Sequence, residues 1–136
     1  MQQLNSFASW QIYNNMKLLL VEDDKFFREF YSTKLKDKNI EVVTASDGEE
    51  GLAKMQSFMP DFVLLDIIMP KKDGFDVLTE MGKRQLIPKI PVLVFSTLGL
   101  EKDIEKARML GAKGYVNKSF FDFDKLYARI LELSKK

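Results

Sequence analysis

The sequence predicts an α/β fold, a doubly wound three-layer arrangement in which a five-stranded parallel sheet is covered by helices on both faces. Three observations carry this. Short apolar runs, mostly β-branched or aromatic, alternate strictly with stretches of helical period. The runs are apolar at consecutive positions, as strands buried on both faces must be. The connections are short, which implies right-handed crossovers. Five strands exclude a closed eight-stranded barrel and leave an open sheet. At 136 residues the chain fits one domain, which buries roughly 68% of the surface its unfolded form exposes.

Each element can be read in order. Leu18 to Val21 form the first strand, and Asp24 sits where a helix should start, ahead of the apolar stripe Phe26, Phe27, Phe30 and Tyr31. Ile40 to Val43 form the second strand. Ser46 or Asp47 then caps a helix striped by Leu52, Met55 and Met59. Phe62 to Leu65 are the third strand, followed by a helix with Phe75, Leu78 and Met81 inward. Val92 to Phe95 are the fourth, followed by Ile104, Ala107 and Leu110 on a helix that Gly111 should stop. Tyr115 and Val116 make the fifth strand, and Phe123, Leu126, Tyr127, Ile130 and Leu131 stripe the last helix.

Composition narrows the chemistry. With 46% hydrophobic residues, 7 Gly and 4 Pro, the chain is neither disordered nor collagen-like. It has no His and no Cys, so no disulfide, zinc cluster, thiolate nucleophile or Ser-His-Asp triad can be built. A net charge of +1 gives no push towards nucleic acid. That charge is uneven: residues 1–66 carry 7 Lys/Arg against 11 Asp/Glu, and residues 67–136 carry 14 against 9. No apolar run approaches the ~20 residues that span a bilayer. The first 16 residues lack the basic n-region of a secretory signal, so a cytoplasmic location is expected.

In open α/β sheets ligands bind beyond the carboxyl ends of the strands. Glu22, Asp23 and Asp24 follow the first strand, Asp66 the third, Ser96 and Thr97 the fourth, and Lys118 the fifth. Singly, each has a plainer explanation: acidic residues complement a helix dipole, Asp66 suits a turn, Ser96 suits a cap and a lysine is usually solvated. Together they gather on one sheet edge. Two carboxylates ~4 Å apart repel by ~4 kcal/mol at an effective dielectric near 20, so such a cluster needs a cation or a proton. Oxygen ligands without His or Cys select a hard cation, and a site with room for water and phosphate suits Mg²⁺. A lysine and a hydroxyl on the same edge would face an anionic group drawn to the metal. The residues therefore read as a metal-dependent phosphoryl site, with a carboxylate as the competent nucleophile.

Four segments, Lys17 to Asp24, Pro60 to Pro70 with Asp73-Gly74, Pro91 to Ser96 and Gly111 to Lys118, resemble in order and spacing the receiver domain of two-component response regulators, over residues 16 to about 134. The resemblance implies a flavodoxin-like sheet of order 2-1-3-4-5 and a phosphoryl group accepted on Asp66 from a phosphohistidine of a sensor histidine kinase or phosphotransfer protein. Asp23 and Asp66 would hold Mg²⁺ by their carboxylates, Ile68 by its backbone carbonyl and Glu22 mainly through water. Ser96 and Lys118 would bind the phosphoryl oxygens, and the rotamer of Tyr115 would report the state. A downstream protein would read the surface of the fourth helix, fifth strand and fifth helix. No enzymatic turnover of a separate substrate, no direct nucleic-acid contact and no membrane are implied, while monomer and homodimer both stay open.

Three departures from the family pattern stand out. Ser119 replaces the usual proline after the lysine, where the family has a cis bond that costs ~2.5 to 4 kcal/mol without proline. Thr97 replaces Ala or Gly after the switch hydroxyl, and its bulk should slow autodephosphorylation. Residues 1–15 form an uncharged extension in which Leu4, Phe7, Trp10 and Tyr13 recur every three positions, as a docking segment would, or as an upstream start or remnant would if they did nothing. The domain itself is expected at 16–136, its last helix consuming the remaining residues, either as a single-domain regulator or as the receiver fragment of a longer protein. Two other readings compete: a pseudo-receiver that binds protein without phosphotransfer, and a small Mg²⁺-dependent hydrolase, which lacks a second Asp because Ile68 stands two residues after Asp66.

Overall fold

Alternate residues of each strand face opposite ways, and this determines how the layers form. The structure is a computed structural model that describes residues 16–120 and 122–134; the extension at 1–15 lies outside the described residues. The strands are β1 (Lys17–Val21), β2 (Glu41–Ala45), β3 (Phe62–Leu65), β4 (Val92–Ser96) and β5 (Gly114–Asn117). The helices are α1 (Lys25–Lys36), α2 (Gly48–Phe58), α3 (Gly74–Lys83), α4 (Glu101–Met109) and α5 (Phe123–Ser134), with a 3₁₀ turn at Lys118–Phe120. All strand pairs are parallel, and the sheet order is β2-β1-β3-β4-β5, as expected.

Leu19, Val21, Val63, Leu65, Val92 and Val94 pack against Leu52 and Met55 of α2, Val77, Leu78 and Met81 of α3, and Ala107 of α4. Leu18, Leu20, Phe62, Leu64, Leu93 and Phe95 pack on the other face against Tyr31 and Leu35 of α1 and Leu126 and Ile130 of α5. The three central strands are apolar on both faces because both faces are covered.

The helix starts follow their caps. Asp24, Asp47 and Asp73 each accept the N–H three residues on, and Asp73 with Asp76 forms a full capping box. Asp47, rather than Ser46, is thus the cap of α2. Gly111 adopts a left-handed φ of 108° just past the end of α4, where a side chain would be strained.

Some boundaries and faces differ from expectation. β2 begins at Glu41, not Ile40, because an edge strand tolerates an exposed charge. In α1 the buried residues are Tyr31, Ser32 and Leu35, while Phe26 is 69% and Phe30 41% exposed. The four aromatics spread over an arc of about 140°, and the sheet covers the edge that carries Tyr31. Met59 is exposed as well, since the chain turns left-handed there and leaves α2. Ile104, expected on the inward stripe of α4, is also exposed. No peptide bond among the described residues is cis, that of Lys118-Ser119 included.

Candidate functional site

Register brings the acidic residues together. Val21 pairs with Leu65, and the N–H of Asp66 donates to Val21 O at 3.0 Å, so the residues following β1 and β3 emerge side by side. Carboxylate oxygens of Glu22, Asp23 and Asp66 all lie within 4.8 Å of one another. Glu22 and Asp66 are buried and Asp23 is exposed, which leaves the cluster open to solvent on one side.

Local structure fixes each carboxylate. Asp66 Oδ1 accepts the N–H of Ile67 at 2.7 Å and that of Ile68 at 3.4 Å, and its Oδ2 accepts from Lys118 Nζ at 3.2 Å. Ile68 is thus beside the cluster, with its side chain exposed. Glu22 Oε2 accepts the N–H of Asp24 at 3.1 Å, and Glu22 Oε1 is bonded to Lys118 Nζ. The strand end can approach α3 this closely only because residue 74 is glycine: a Cβ there would stand 2.5 Å from Asp66 O.

Lys118 is buried and bridges Glu22 and Asp66. Its ammonium also lies 4.9 Å from the ring centroid of Phe27 and 5.6 Å from that of Phe95. The lysine is therefore the local counterion of the carboxylates, whereas the sequence suggested only that it faces an incoming anion. Burial pushes the Glu22 carboxyl up from its ordinary 4.5 to about 7, against the lowering influence of the bond to Lys118 and with a further push from the Asp66 charge. The same Glu22 charge adds to the burial that raises the Tyr31 phenol.

Ser96, fully buried at the end of β4, accepts the N–H of Leu98 at 3.3 Å. The Tyr115 hydroxyl donates to Leu98 O at 2.7 Å, so Ser96 and Tyr115 hold the same loop residue, one at its N–H and the other at its carbonyl. Burial, then the nearby Asp103 charge, raises the Tyr115 phenol. Thr97 is exposed beside them.

Sequence reasoning missed Arg28. Its Nη1 donates to the backbone oxygens of Glu22 and Asp23, each at 3.0 Å, tying the first turn of α1 to the acidic turn. Nothing in the spacing marks it, because its partners are main-chain atoms.

The structure therefore gathers Glu22, Asp23, Asp66, Ile68, Ser96 and Lys118 at the carboxyl edge, with Tyr115 one loop away. Residues 18–131 match the family described as "Response regulator receiver domain". The chain is 39% identical over 123 residues to "Probable transcriptional regulator ycf27" of Cyanophora paradoxa, an alignment covering 90% of this chain and 50% of that protein. It spans about half the length of the curated relatives it matches. Among solved structures, the Francisella response regulator 1452 receiver domain superposes with a TM-score of 0.81 at 29% identity, covering 88% of this chain and 97% of that one. A chain of the CheX-CheY-BeF3-Mg+2 complex from Borrelia burgdorferi superposes with a TM-score of 0.81 at 28% identity, covering 89% and 90%. With one family match running through all five strands and a sequence relative this close, the chain belongs to the response regulator receiver domains of two-component signalling.

Proposed function

We propose that this receiver domain is a phosphoacceptor: Asp66 takes a phosphoryl group from a phosphohistidine on a sensor histidine kinase or phosphotransfer protein. The observation that carries the reading is the buried Asp66 carboxylate, set among Glu22, Asp23 and Lys118 at the open end of the sheet. In the transfer an Asp66 oxygen bonds to phosphorus while the phosphorus–nitrogen bond breaks. The imidazole nitrogen keeps that electron pair and takes a proton from solvent.

The donor set fits Mg²⁺. It is all oxygen and multiply anionic, and the exposure of Asp23 leaves one side open to water and phosphate. Asp23 and Asp66 would hold the ion by carboxylates, Ile68 by its main-chain carbonyl, and Glu22 through water. When bound, the ion offsets negative charge on the phosphoryl oxygens. The likeness to a chain of the Borrelia burgdorferi CheX-CheY-BeF3-Mg+2 complex supports this assignment.

Lys118 then exchanges one carboxylate partner for a phosphoryl oxygen, and Ser96 turns its hydroxyl from Leu98 to another. Leu98 donates its N–H to Ser96 and accepts from Tyr115 at its carbonyl, so drawing that loop inward changes the partner of Tyr115. The surface formed by α4, β5 and α5 is the readout for a downstream protein, and the exposed Leu100, Ile104 and Met109 in and beside α4 give it apolar contact points. The domain transforms no separate substrate, catalysing only its own phosphorylation and dephosphorylation, and it works in the cytoplasm.

Intact-mass measurement after incubation with Mg²⁺ and a small phosphodonor tests the reading. One phosphoryl adduct is expected on the native chain and none on Asp66→Asn. An adduct on both removes Asp66 as the acceptor. None on the native chain leaves a pseudo-receiver that binds partners without phosphotransfer.

A further inference from the structure

Asn117 ends β5, opposite Ser96 in the ladder and one residue before Lys118, so its main chain lies between both members of the phosphoryl-binding pair. Its side chain closes the turn that follows, Oδ1 accepting the N–H of Ser119 at 2.8 Å. In such a turn a short amide side chain stands in for a backbone acceptor and holds the residue between, here Lys118, to one main-chain course. The other end of the same amide rests on the loop between β4 and α4. A Cβ on Gly99 would stand 2.5 Å from Asn117 Nδ2, so any larger residue there would have to displace the amide.

We infer that Asn117 is the positioning residue of Lys118, setting its ammonium through this turn and keying it to the β4–α4 loop. The inference rests on the reading of Asp66 as phosphoacceptor. Lys118 carries a compact point charge on a flexible four-carbon stem, so any rotation of the main chain at residue 118 is amplified at the ammonium. The place of that ammonium is exacting, because it is buried and bridges Glu22 and Asp66. Ser119 does not restrain the turn by itself. Proline, the family's usual residue there, locks its own φ and has no N–H, whereas serine leaves φ free and brings a donor. Asn117 supplies the restraint and accepts from that donor.

The loop end of the amide matters because α4 begins without a side-chain cap, with Leu100 at the N-cap position. The loop before it is held by the bonds of Ser96 and Tyr115 to Leu98 and by the amide under Gly99. Ser96 and Lys118, which bind different phosphoryl oxygens, thus take their positions from one shared side chain. A purely architectural role fits Asn117 less well. Ser119 is exposed, so its freed N–H would turn to water at little cost to the fold, and asparagine is a poor strand residue where valine is a good one.

Adduct formation on the full chain with Mg²⁺ and a small phosphodonor, followed by intact mass beside denaturation midpoints, tests the inference. Asn117→Val removes the acceptor and keeps the strand, so it should slow adduct formation several-fold while the midpoint holds or rises. Asn117→Ser, whose hydroxyl accepts the same N–H more weakly, should recover part of the rate. In a Lys118→Met background Asn117→Val should slow the reaction no further, because the ammonium it positions is gone. Gly99→Ala supplies a second cycle should that background not fold. It should slow the native chain but not Asn117→Val, whose side chain ends at the Cγ position, 3.7 Å from the added carbon. A native rate in Asn117→Val, equal slowing in both backgrounds of either cycle, or slowing that follows a lost midpoint overturns the proposal. No adduct on the native chain overturns the phosphoacceptor reading and takes this inference with it, a failure visible in the native chain alone.

Discussion

Lys118 holds two buried carboxylates, and the fold raises the titration of Glu22. A carboxyl raised from 4.5 to about 7 binds its proton more tightly in the folded chain than in the unfolded one. The contribution of Glu22 to the stability of the metal-free domain should therefore be fully present below the ordinary value and be lost as pH rises from about 4.5 to about 7. Denaturant titrations in chelator at the two ends of that window should show this loss for the native chain and a much smaller one for Glu22→Gln; equal slopes in both would show that Glu22 is not the group responsible. Glu50, held low at about 2 mainly by the Ser46 N–H and by Lys54, acts in the opposite sense and in a lower window, so the two effects separate. Thr97 gives a second expectation. Its exposed side chain stands next to Ser96, and Thr97→Ala should shorten the half-life of the phosphorylated form several-fold, as read by intact mass over time; an unchanged half-life removes bulk at this position as the cause of slow loss. Glu22, Asp23, Asp66, Ser96 and Lys118 were legible because each stands within two residues of the end of an apolar run. Arg28 was not, since a surface arginine on a helix is ordinary and its two bonds go to carbonyls that every residue has.

Among the elements, α3 shows how packing constrains the site. Its first residue, Gly74, lies against the backbone of Asp66 and Ile67, where a Cβ would meet Ile67 Cδ1 at 2.6 Å and Ile67 Cα at 2.8 Å. Gly74→Ala should cost about 1–3 kcal/mol and displace the strand end that carries Asp66, so phosphorylation should slow along with the loss of stability. Denaturation midpoints and adduct formation measured on the same variant check this, and native-like values for both would mean that α3 moves freely. The helical stripes were readable at α3 and α5, where one face is apolar and the rest polar. At α1 the reading failed, because Phe26, Phe27, Phe30 and Tyr31 spread over an arc of about 140° and periodicity cannot say which edge of that arc the sheet will select. The sheet selected Tyr31 with Leu35, and the T-shaped contact between Tyr31 and Phe95, ring centroids 5.0 Å apart, shows the fit that decided it.

At the scale of the molecule, sheet order turns a gradient along the chain into one across the fold. Because the order is β2-β1-β3-β4-β5, the acidic first half occupies one side of the sheet and the basic second half the other, with the carboxylate cluster near the boundary. A divalent cation binding there should stabilise the whole cooperative unit by mass action, about 2.7 kcal/mol at a hundredfold excess over its Kd. Mg²⁺ should accordingly raise the melting temperature of the native chain, and Asp23→Asn should remove most of that rise; an equal rise in both places the ion elsewhere. The order itself was not derivable from composition or periodicity, which give five strands but not their neighbours, and it came from resemblance. One feature also has a temporal side. Lys118 lies 96 residues after Glu22 and 52 after Asp66, just past the edge strand that is made last. During synthesis both acids leave the ribosome well before the ammonium that will accompany them into the interior. Until then they have every reason to stay hydrated, so the sheet's last strand acts as a timer: a nascent chain cannot close its reactive end early.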